Sequence, residues 1–362
     1  MMDSGFSNIY TNPEVNNHPL LLYILKAFTF LFHSSSEINL VSINYIKAFY
    51  ILFDFLTLGF VVHVLHKNKT SIHFIWLLIL NPAFWYNTLI WIQCDTIHTF
   101  FIFLSLYFAL TNKIHLCSIA MALALATKLQ AIIFFPLLLL IVLPQLRLHP
   151  KKTIETVIVF IATLFIIMLP FLIKGTFTPS ISAIATRSLD FYPKLSVSAY
   201  NFWYLLFHSP NNLPDSLSFL GLTYKHWGLM LFGSFLVVLL ILLRKSFTIK
   251  DEDQKLSYIF LVFTLNAILF FYFNTQMHER YIHPAVLFGG LYAIFSKRLE
   301  VYTLVSIGYL LNLESVMQIL PYMNKSFYNV YHLFFFNPIF ISILILAATI
   351  FAFIRVYKLY NQ

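Results

Sequence analysis

Long apolar stretches recur along the whole chain, and they constrain its fold more than any other feature. They cover roughly residues 43–65, 73–91, 96–111, 114–127, 129–145, 153–173, 227–243, 256–273, 282–296, 299–320 and 333–354. About 20 apolar residues in a helix cross a bilayer. Only 10% of the 362 residues are charged, against about 25% in soluble domains. The sequence therefore predicts an all-α, polytopic transmembrane helical bundle of about 11 spans, forming one integral membrane domain over residues 1–362.

Basic residues in the short loops orient this bundle. Because Lys and Arg concentrate in cytoplasmic loops, we expect the C-terminus to be cytoplasmic. The N-terminal segment 1–42, with an interfacial helix, and the external loop 174–226 then face outward. This distribution also accounts for the net charge of +9, so we expect membrane lipids and no nucleic acid as partners. The loops assigned to the cytoplasm contain Lys67, Lys69, Lys113, Arg147, Lys151, Lys152, Arg244, Lys245, Lys250, Lys255, Lys297, Arg298, Arg355 and Lys358.

Residues 81–95 (NPAFWYNTLIWIQCD) interrupt one of the apolar hairpins. Asn81 and Pro82 break a helix, and Gln93 and Asp95 come just before the next apolar stretch. Lipid offers no partner for freed backbone groups or for a carboxylate, so we expect the break to be packed in protein or to line a wet cavity. For the same reason we expect Asp54, in the middle of a span, to be hydrogen-bonded within the bundle.

Further polar side chains are expected on the same outer side. Lys128 and Arg280 can bind phosphate oxygens, His278 can donate to a phosphate or move a proton, and an acid can act as a base toward a hydroxyl. Aromatic side chains can stack on sugars or lie along a lipid chain. The substrate-binding candidates are Gln93, Lys128, Gln130, Tyr200, Asn201, Trp203, His278, Glu279 and Arg280.

Structural interpretations of these residues stay open beside the functional ones. Asp95 can cap the helix that starts near Thr96, and Lys128 can extend its ammonium group toward the membrane surface. Residues 278–281 (HERY) can form an ordinary loop at the interface.

In chain order, these motifs resemble those of the GT-C membrane glycosyltransferases, with the nearest likeness to a bacterial branch similar to the mannosyltransferases of GPI-anchor synthesis. The likeness extends over nearly the whole chain. It rests on the order and membrane side of the motifs, since none of them is specific alone. The motifs are Asn81 and Pro82, Gln93 and Asp95, Lys128 and Gln130, residues 198–203 (SAYNFW), residues 278–281 (HERY), and Asn17, His18 and Pro19 followed by Leu22 and Tyr23.

The resemblance implies a helical bundle with short helices in an external loop. It also implies transfer of a hexose, taken here as mannose, from a polyprenyl-phosphate donor to a glycan or lipid acceptor on the extracytoplasmic face. His278, Arg280 and Lys128 would stabilise the leaving phosphate, so no cofactor or metal is required. We expect the membrane to be a bacterial plasma membrane, with the endoplasmic reticulum membrane as the alternative.

The resemblance also places the catalytic base on an acid after a first transmembrane helix and before the Pro-containing segment, here Asn17 to Pro19. Asp3 and Glu14 are the acids before that segment, and Asp3 is closer to it than the family pattern requires. We take Asp95 and Asp3 as the catalytic candidates. We expect either a further helix upstream of Met1 or a copy that lacks the first helix and its acid.

Two other functions compete with sugar transfer. One is a transporter or flippase for a lipid-linked saccharide, which would also need many helices and an internal polar path. The other is a catalytically inactive GT-C-like scaffold in a cell-envelope assembly complex, which the missing N-terminal acid favours.

Overall fold

Helices make up almost all of the regular structure in the computed structural model, which describes residues 5–31, 43–323 and 325–361. The α-helices are α1 (Pro19–Thr29), α2 (Ile43–Lys67), α3 (Trp76–Ile79), α4 (Pro82–Leu89), α5 (Asp95–Leu110), α6 (Ile114–Thr127), α7 (Phe135–Leu148), α8 (Pro150–Ile173), α9 (Phe177–Asp190), α10 (Trp203–Leu206), α11 (Tyr224–Leu243), α12 (Glu252–Phe273), α13 (His283–Ser296), α14 (Glu300–Met317), α15 (Leu320–Met323) and α16 (Pro338–Tyr360).

Short 3-10 helices and one small hairpin complete the secondary structure of the described residues. Strand β1 (Ser218–Phe219) pairs antiparallel with β2 (Leu222–Thr223) in the loop before α11. The 3-10 helices are Phe6–Thr11, Ile72–Ile75, Leu129–Phe134, Pro210–Asn212, Arg244–Phe247, Lys325–His332 and Phe334–Phe336.

Six helices in the described ranges are long and apolar enough to cross a membrane. They are Asn44–Lys67, Leu129–Leu148, Pro150–Ile173, Tyr224–Phe247, Glu252–Phe273 and Pro338–Tyr360. Each of the other apolar stretches also forms helix, in shorter pieces such as α5, α6 and α13. The predicted all-α, polytopic membrane fold is therefore confirmed.

The chain forms two compact units, and α2 continues from the first into the second. The first unit contains Met1–Leu56 and Ile92–Phe191. In it, α6 packs against α1, α5 and α8, while α5 also contacts α7. Two groups of buried side chains form its core. They are Leu21, Tyr50 and Ile97 in one group, and Ile9, Tyr10, Leu22, Met168 and Phe171 in the other.

The N-terminal segment of the first unit is fixed by polar contacts to its backbone. The guanidinium of Arg187, on α9, donates to the carbonyls of Asn12 and Val15, each at 2.7 Å. It also donates to the carbonyl of Tyr10 at 3.1 Å. The hydroxyl of Tyr23, on the expected interfacial helix, donates to the carbonyl of Ile167 at 2.7 Å. These bonds hold α1 and the residues before it against α8 and α9.

The second unit contains Thr57–Trp91 and Tyr192–Gln362. Its core is α12, which is buried almost throughout its length and packs against α11, α13 and α16. Close approach depends on glycine at two places. A β-carbon on Gly228 would lie 2.8 Å from the carbonyl oxygen of Phe273, and one on Gly290 would lie 2.6 Å from the side chain of Leu78. Here α11 meets the end of α12, and α13 meets α3.

Candidate functional site

The predicted helix break at Asn81 and Pro82 is present, and its backbone groups are satisfied by protein. Helix α3 ends at Ile79, and the side chain of Asn81 caps α4 by accepting from the N–H of Ala83 at 2.9 Å. The indole of Trp85 donates to the carbonyl of Ile79 at 2.8 Å, and the hydroxyl of Tyr302 donates to the carbonyl of Leu77. The break is thus packed in protein, as the absence of hydrogen-bonding partners in lipid requires.

Asp95 and Lys128 form a buried ion pair in the first unit. The ammonium of Lys128 donates to Oδ1 of Asp95, and the two side chains are 17% and 1% exposed. Helix α5 begins at Asp95 itself and has Cys94 at the cap position, so the interpretation of Asp95 as a helix cap is wrong. Lys128 does not extend into solvent, because its ammonium is held by this carboxylate.

A buried histidine lies close to this pair. Burial lowers the pKa of His18 to about 4, a hydrogen bond to the backbone of Leu125 acts in the opposite direction, and the charge of Lys128 lowers the pKa further. His18 is therefore neutral at physiological pH. On the neighbouring helix α2, Asp54 accepts a hydrogen bond from Thr96 at 2.5 Å, which confirms the expected bonding of that mid-span acid.

Glu279 is the centre of a second polar cluster, which lies in the second unit. It is 2% exposed and accepts from the indole N–H of Trp91 at 2.5 Å and from the guanidinium of Arg280 at 3.1 Å. The ring of His278 lies 3.9 Å from its other carboxylate oxygen and 3.4 Å from Arg280. We call Trp91, His278, Glu279 and Arg280 the Glu279 cluster.

Backbone contacts place the Glu279 cluster beside the segment that follows α9. His278 forms bridges with Val197 and Ser198, and the N–H of Val197 donates to the carbonyl of Met277 at 2.8 Å. The ring of Tyr192 stands edge-on to that of His278, with ring centres 4.9 Å apart. The HERY residues are therefore packed in protein and do not form an ordinary interfacial loop.

Residues 198–203 (SAYNFW) hydrogen-bond to α12, to the residue that follows it, and to α14. The amide of Asn201 donates to the carbonyl of Phe271 at 3.0 Å, and the indole of Trp203 donates to the carbonyl of Asn274 at 3.2 Å. The N–H of Tyr200 donates to the side chain of Asn312 at 3.0 Å. Asn201 and Trp203 are buried, so both serve as structural ties, while their role toward a substrate stays a prediction.

Three non-glycine residues within or close to the motifs at 81–95, 198–203 and 278–281 have left-handed backbone conformations. The φ angles are 56° at Ile92, 64° at Ser198 and 61° at Gln276. This conformation is unfavourable for side chains with a β-carbon, most of all for a β-branched residue such as Ile92. Strained residues of this kind occur often at binding and catalytic sites, so these segments are candidates for a functional site.

The structure divides the candidate residues between the two units. The first unit holds Gln93, Asp95, Lys128 and Gln130, and it pairs Asp95 with Lys128. The second unit holds Tyr200, Asn201, Trp203, His278, Glu279 and Arg280, and it brings the last three together. Asp3 lies outside the described residues. No group of three or more His, Cys, Asp or Glu that could hold a metal occurs in the described ranges, and the expectation that none is needed stays a prediction.

The sequence did not single out Glu314, which forms a further buried polar group in the second unit. Its carboxylate accepts from the hydroxyls of Tyr86 and Tyr331 and from the N–H of Leu320 at 3.1 Å. Trp91 was missed as well, although it lies inside the interrupted hairpin. An acid near the end of an apolar helix was the available signal for Glu314, but its partners are distant in sequence.

A comparison with known protein families gives a match to the family described as GPI transamidase subunit PIG-U, over residues 1–209. The match covers more than half of the chain. The chain belongs to the PIG-U family. No curated protein matches it.

Membership of the PIG-U family confirms the expected relation to GPI-related membrane proteins, while the mannosyltransferase assignment stays a prediction. The matched region contains the Asp95–Lys128 pair and the SAYNFW residues. Of the Glu279 cluster it contains Trp91, and the HERY residues lie beyond it.

Proposed function

We propose that this chain is a membrane subunit of a GPI transamidase, and that it binds the GPI glycolipid without itself transferring a sugar. On this proposal the membrane is that of the endoplasmic reticulum. The observation that carries the proposal is the Asp95–Lys128 ion pair, which lies within the region matched by the GPI transamidase subunit family. It favours the inactive GT-C-like scaffold over the sugar transferase.

The argument rests on what a general base requires. A base must accept the proton of an acceptor hydroxyl within hydrogen-bond reach, and it works best when its pKa lies near the operating pH. The base must also have a carboxylate oxygen that can reach that hydroxyl. Oδ1 of Asp95 instead accepts from Lys128, and Oε1 of Glu279 accepts from both Arg280 and Trp91. Both carboxylates are better suited to holding the fold than to removing a proton.

Glycolipid binding gives the other polar residues a role. GPI carries phosphate and several sugars on a lipid anchor. A guanidinium with a planar set of donors suits a phosphate, and Arg280 keeps part of its side chain at the surface. His278 and the ring of Tyr192 beside it would contact the sugars. Glu279 then fixes the orientation of Arg280.

Sugar transfer from a polyprenyl-phosphate donor is the second candidate function. The observation that favours it is the contact between Arg280 and His278, because a guanidinium with an imidazole beside it can present adjacent N–H donors to a leaving phosphate. Mannose is the sugar that this alternative implies.

The lipids of cells lacking the chain distinguish these functions. Such cells would be labelled with radioactive mannose, and their glycolipids would be separated by chromatography. Our proposal predicts that complete GPI, with all of its mannoses, accumulates because it is not transferred to protein. Accumulation of mannose-deficient intermediates would contradict it and support a mannosyltransferase. Cells re-expressing the wild-type chain provide the control and should show neither change.

A further inference from the structure

A groove of about 430 Å³ lies on the surface of the second unit, between the segment leading into α3 and the first turns of α14. Most of its lining is apolar. Its exposed large apolar side chains are Trp76, Leu80 and Ile307, which are 52%, 73% and 45% exposed. The groove lies at the helix break, where the chain does not fill the space that a continuous span would occupy.

The polar groups at the floor of the groove hydrogen-bond to one another and to the backbone. The amide of Asn81 donates to the hydroxyl of Tyr302 at 2.6 Å and to that of Ser306 at 2.8 Å. Tyr302 in turn donates to the carbonyl of Leu77. The floor therefore holds the walls in place and does not require a polar ligand of its own.

Basic side chains stand at one end of the groove. Lys69 is exposed and precedes His73, on one wall, by four residues. Arg298 is exposed and precedes Tyr302, on the other wall, by the same number. The two walls run in the same direction, because Tyr302 bonds to Leu77 and Ser306, about one turn further on, bonds to Asn81. Four residues span at most about 14 Å, so Lys69 and Arg298, which precede the two walls, both lie near the same end. The nearest acid in sequence on the α14 wall, Glu300, interacts with both Arg355 and Arg298, so two guanidinium groups and Lys69 stand against this one carboxylate.

The shape of the lining favours a lipid chain over a transmembrane helix. Helices in membranes associate through small residues that allow close approach of their backbones. Here large apolar side chains such as Trp76 and Leu80 form much of the exposed lining. A flexible acyl chain can follow such a surface, and anionic headgroups are attracted to basic residues at the membrane surface.

We infer that this groove binds one anionic phospholipid. Its phosphate lies by Lys69 and Arg298, and one acyl chain runs along Trp76, Leu80 and Ile307. The inference is independent of the proposed role toward GPI, because it concerns a different part of the second unit and a lipid without sugars.

The test is competition between phosphatidylserine and phosphatidylcholine for the full chain, purified in detergent and examined by native mass spectrometry. The wild type should retain one phosphatidylserine in preference to phosphatidylcholine. Removing a charge with Lys69→Gln or Arg298→Gln should reduce that preference about five-fold each. Thr303→Trp, at an exposed position of the lining, should fill the groove and abolish retention of both lipids.

Matched variants control for general effects of charge and bulk. Lys151→Gln with Lys152→Gln removes two exposed charges on α8, and Val237→Trp adds bulk at an exposed position of α11. Both should behave as the wild type. Equal retention of the two lipids by the wild type, or unchanged retention by Thr303→Trp, would overturn the inference. If Thr303→Trp lost a co-purifying protein but retained lipid as the wild type does, the inference would also be overturned. That result would indicate that the groove binds a transmembrane helix of another protein.

Discussion

The two units bury a motif carboxylate in different ways. In the first unit, Asp95 is bound by the ammonium of Lys128, whose three donors lie at the end of a flexible stem. In the second unit, Glu279 accepts from Trp91 and Arg280 and lies close to His278. Among the contacts that the structure describes, Asp95 is bonded to a full positive charge, whereas Glu279 is bonded both to a guanidinium and to a neutral indole N–H. Removal of a single partner should therefore lower the free energy of unfolding more in the first unit.

The largest effect is expected for Lys128→Met. This change leaves the carboxylate of Asp95 buried opposite an apolar side chain, and breaking a buried pair in this way costs about 3–5 kcal/mol. The loss would be measured as a lower thermal unfolding temperature of the purified chain in detergent. The double variant Asp95→Asn with Lys128→Met removes both charges and should unfold at a higher temperature than Lys128→Met alone. If the double variant is no more stable than the single one, the pair does not act through its charge.

A smaller effect is expected for Arg280→Gln in the second unit. The glutamine amide can still donate to Glu279, and Trp91 and His278 remain beside that carboxylate. We expect a loss of about 2–3 kcal/mol in the free energy of unfolding, measured under the same conditions as Lys128→Met. A loss equal to or larger than that of Lys128→Met would break the comparison, because it would make Arg280 as necessary to its carboxylate as Lys128.

Trp91→Phe sharpens the comparison within the Glu279 cluster. The phenyl ring keeps most of the apolar contact but removes the indole N–H that donates to Glu279 at 2.5 Å. A hydrogen bond to a charged group contributes about 1.5–3 kcal/mol, and Arg280 continues to bind the carboxylate, so we expect the lower end of that range. Trp85→Phe is the control, because it removes an indole donor to a neutral acceptor, the carbonyl of Ile79. It should lower the free energy of unfolding by less.

An effect of similar size is a pH dependence that belongs to the first unit. The pKa of His18 is about 4 in the folded chain against 6.5 for the free side chain. The unfolded chain therefore binds a proton first, and stability is lost as pH falls from 6.5 toward 4, by about 1.4 kcal/mol per pH unit. Unfolding temperatures measured between pH 7 and pH 5 should show this decline. His18→Gln should flatten it, and an unchanged slope in that variant would assign the dependence to other groups.

Local physical rules explain which parts of the fold the sequence predicted. Apolar stretches long enough for a bilayer became helices, and the break came at Asn81 and Pro82, where Asn81 caps α4 and Pro82 occupies its first position. Asp54 was expected to find a partner because an isolated charge in a bundle is costly, and Thr96 supplies one.

The sequence did not predict which distant residues would contact each other. Asp95 and Lys128 were both expected at the outer side, but nothing in their order required that the two should pair with each other. Trp91 and Glu279 are 188 residues apart, and Tyr86 and Glu314 are 228 residues apart. Contacts of this range depend on how helices pack, which the pattern of apolar residues does not specify.

The central claim is that Asp95 serves as the partner of Lys128 and not as a catalytic base. The most direct test expresses the double variant Asp95→Asn with Lys128→Met in cells that lack the chain, and measures surface display of a GPI-anchored reporter at matched abundance of the variant in the membrane. Our account predicts display near the wild-type level, since the neutral pair keeps the packing and no proton transfer is lost. Complete loss of display at wild-type abundance, with accumulation of mannose-deficient intermediates, would contradict it.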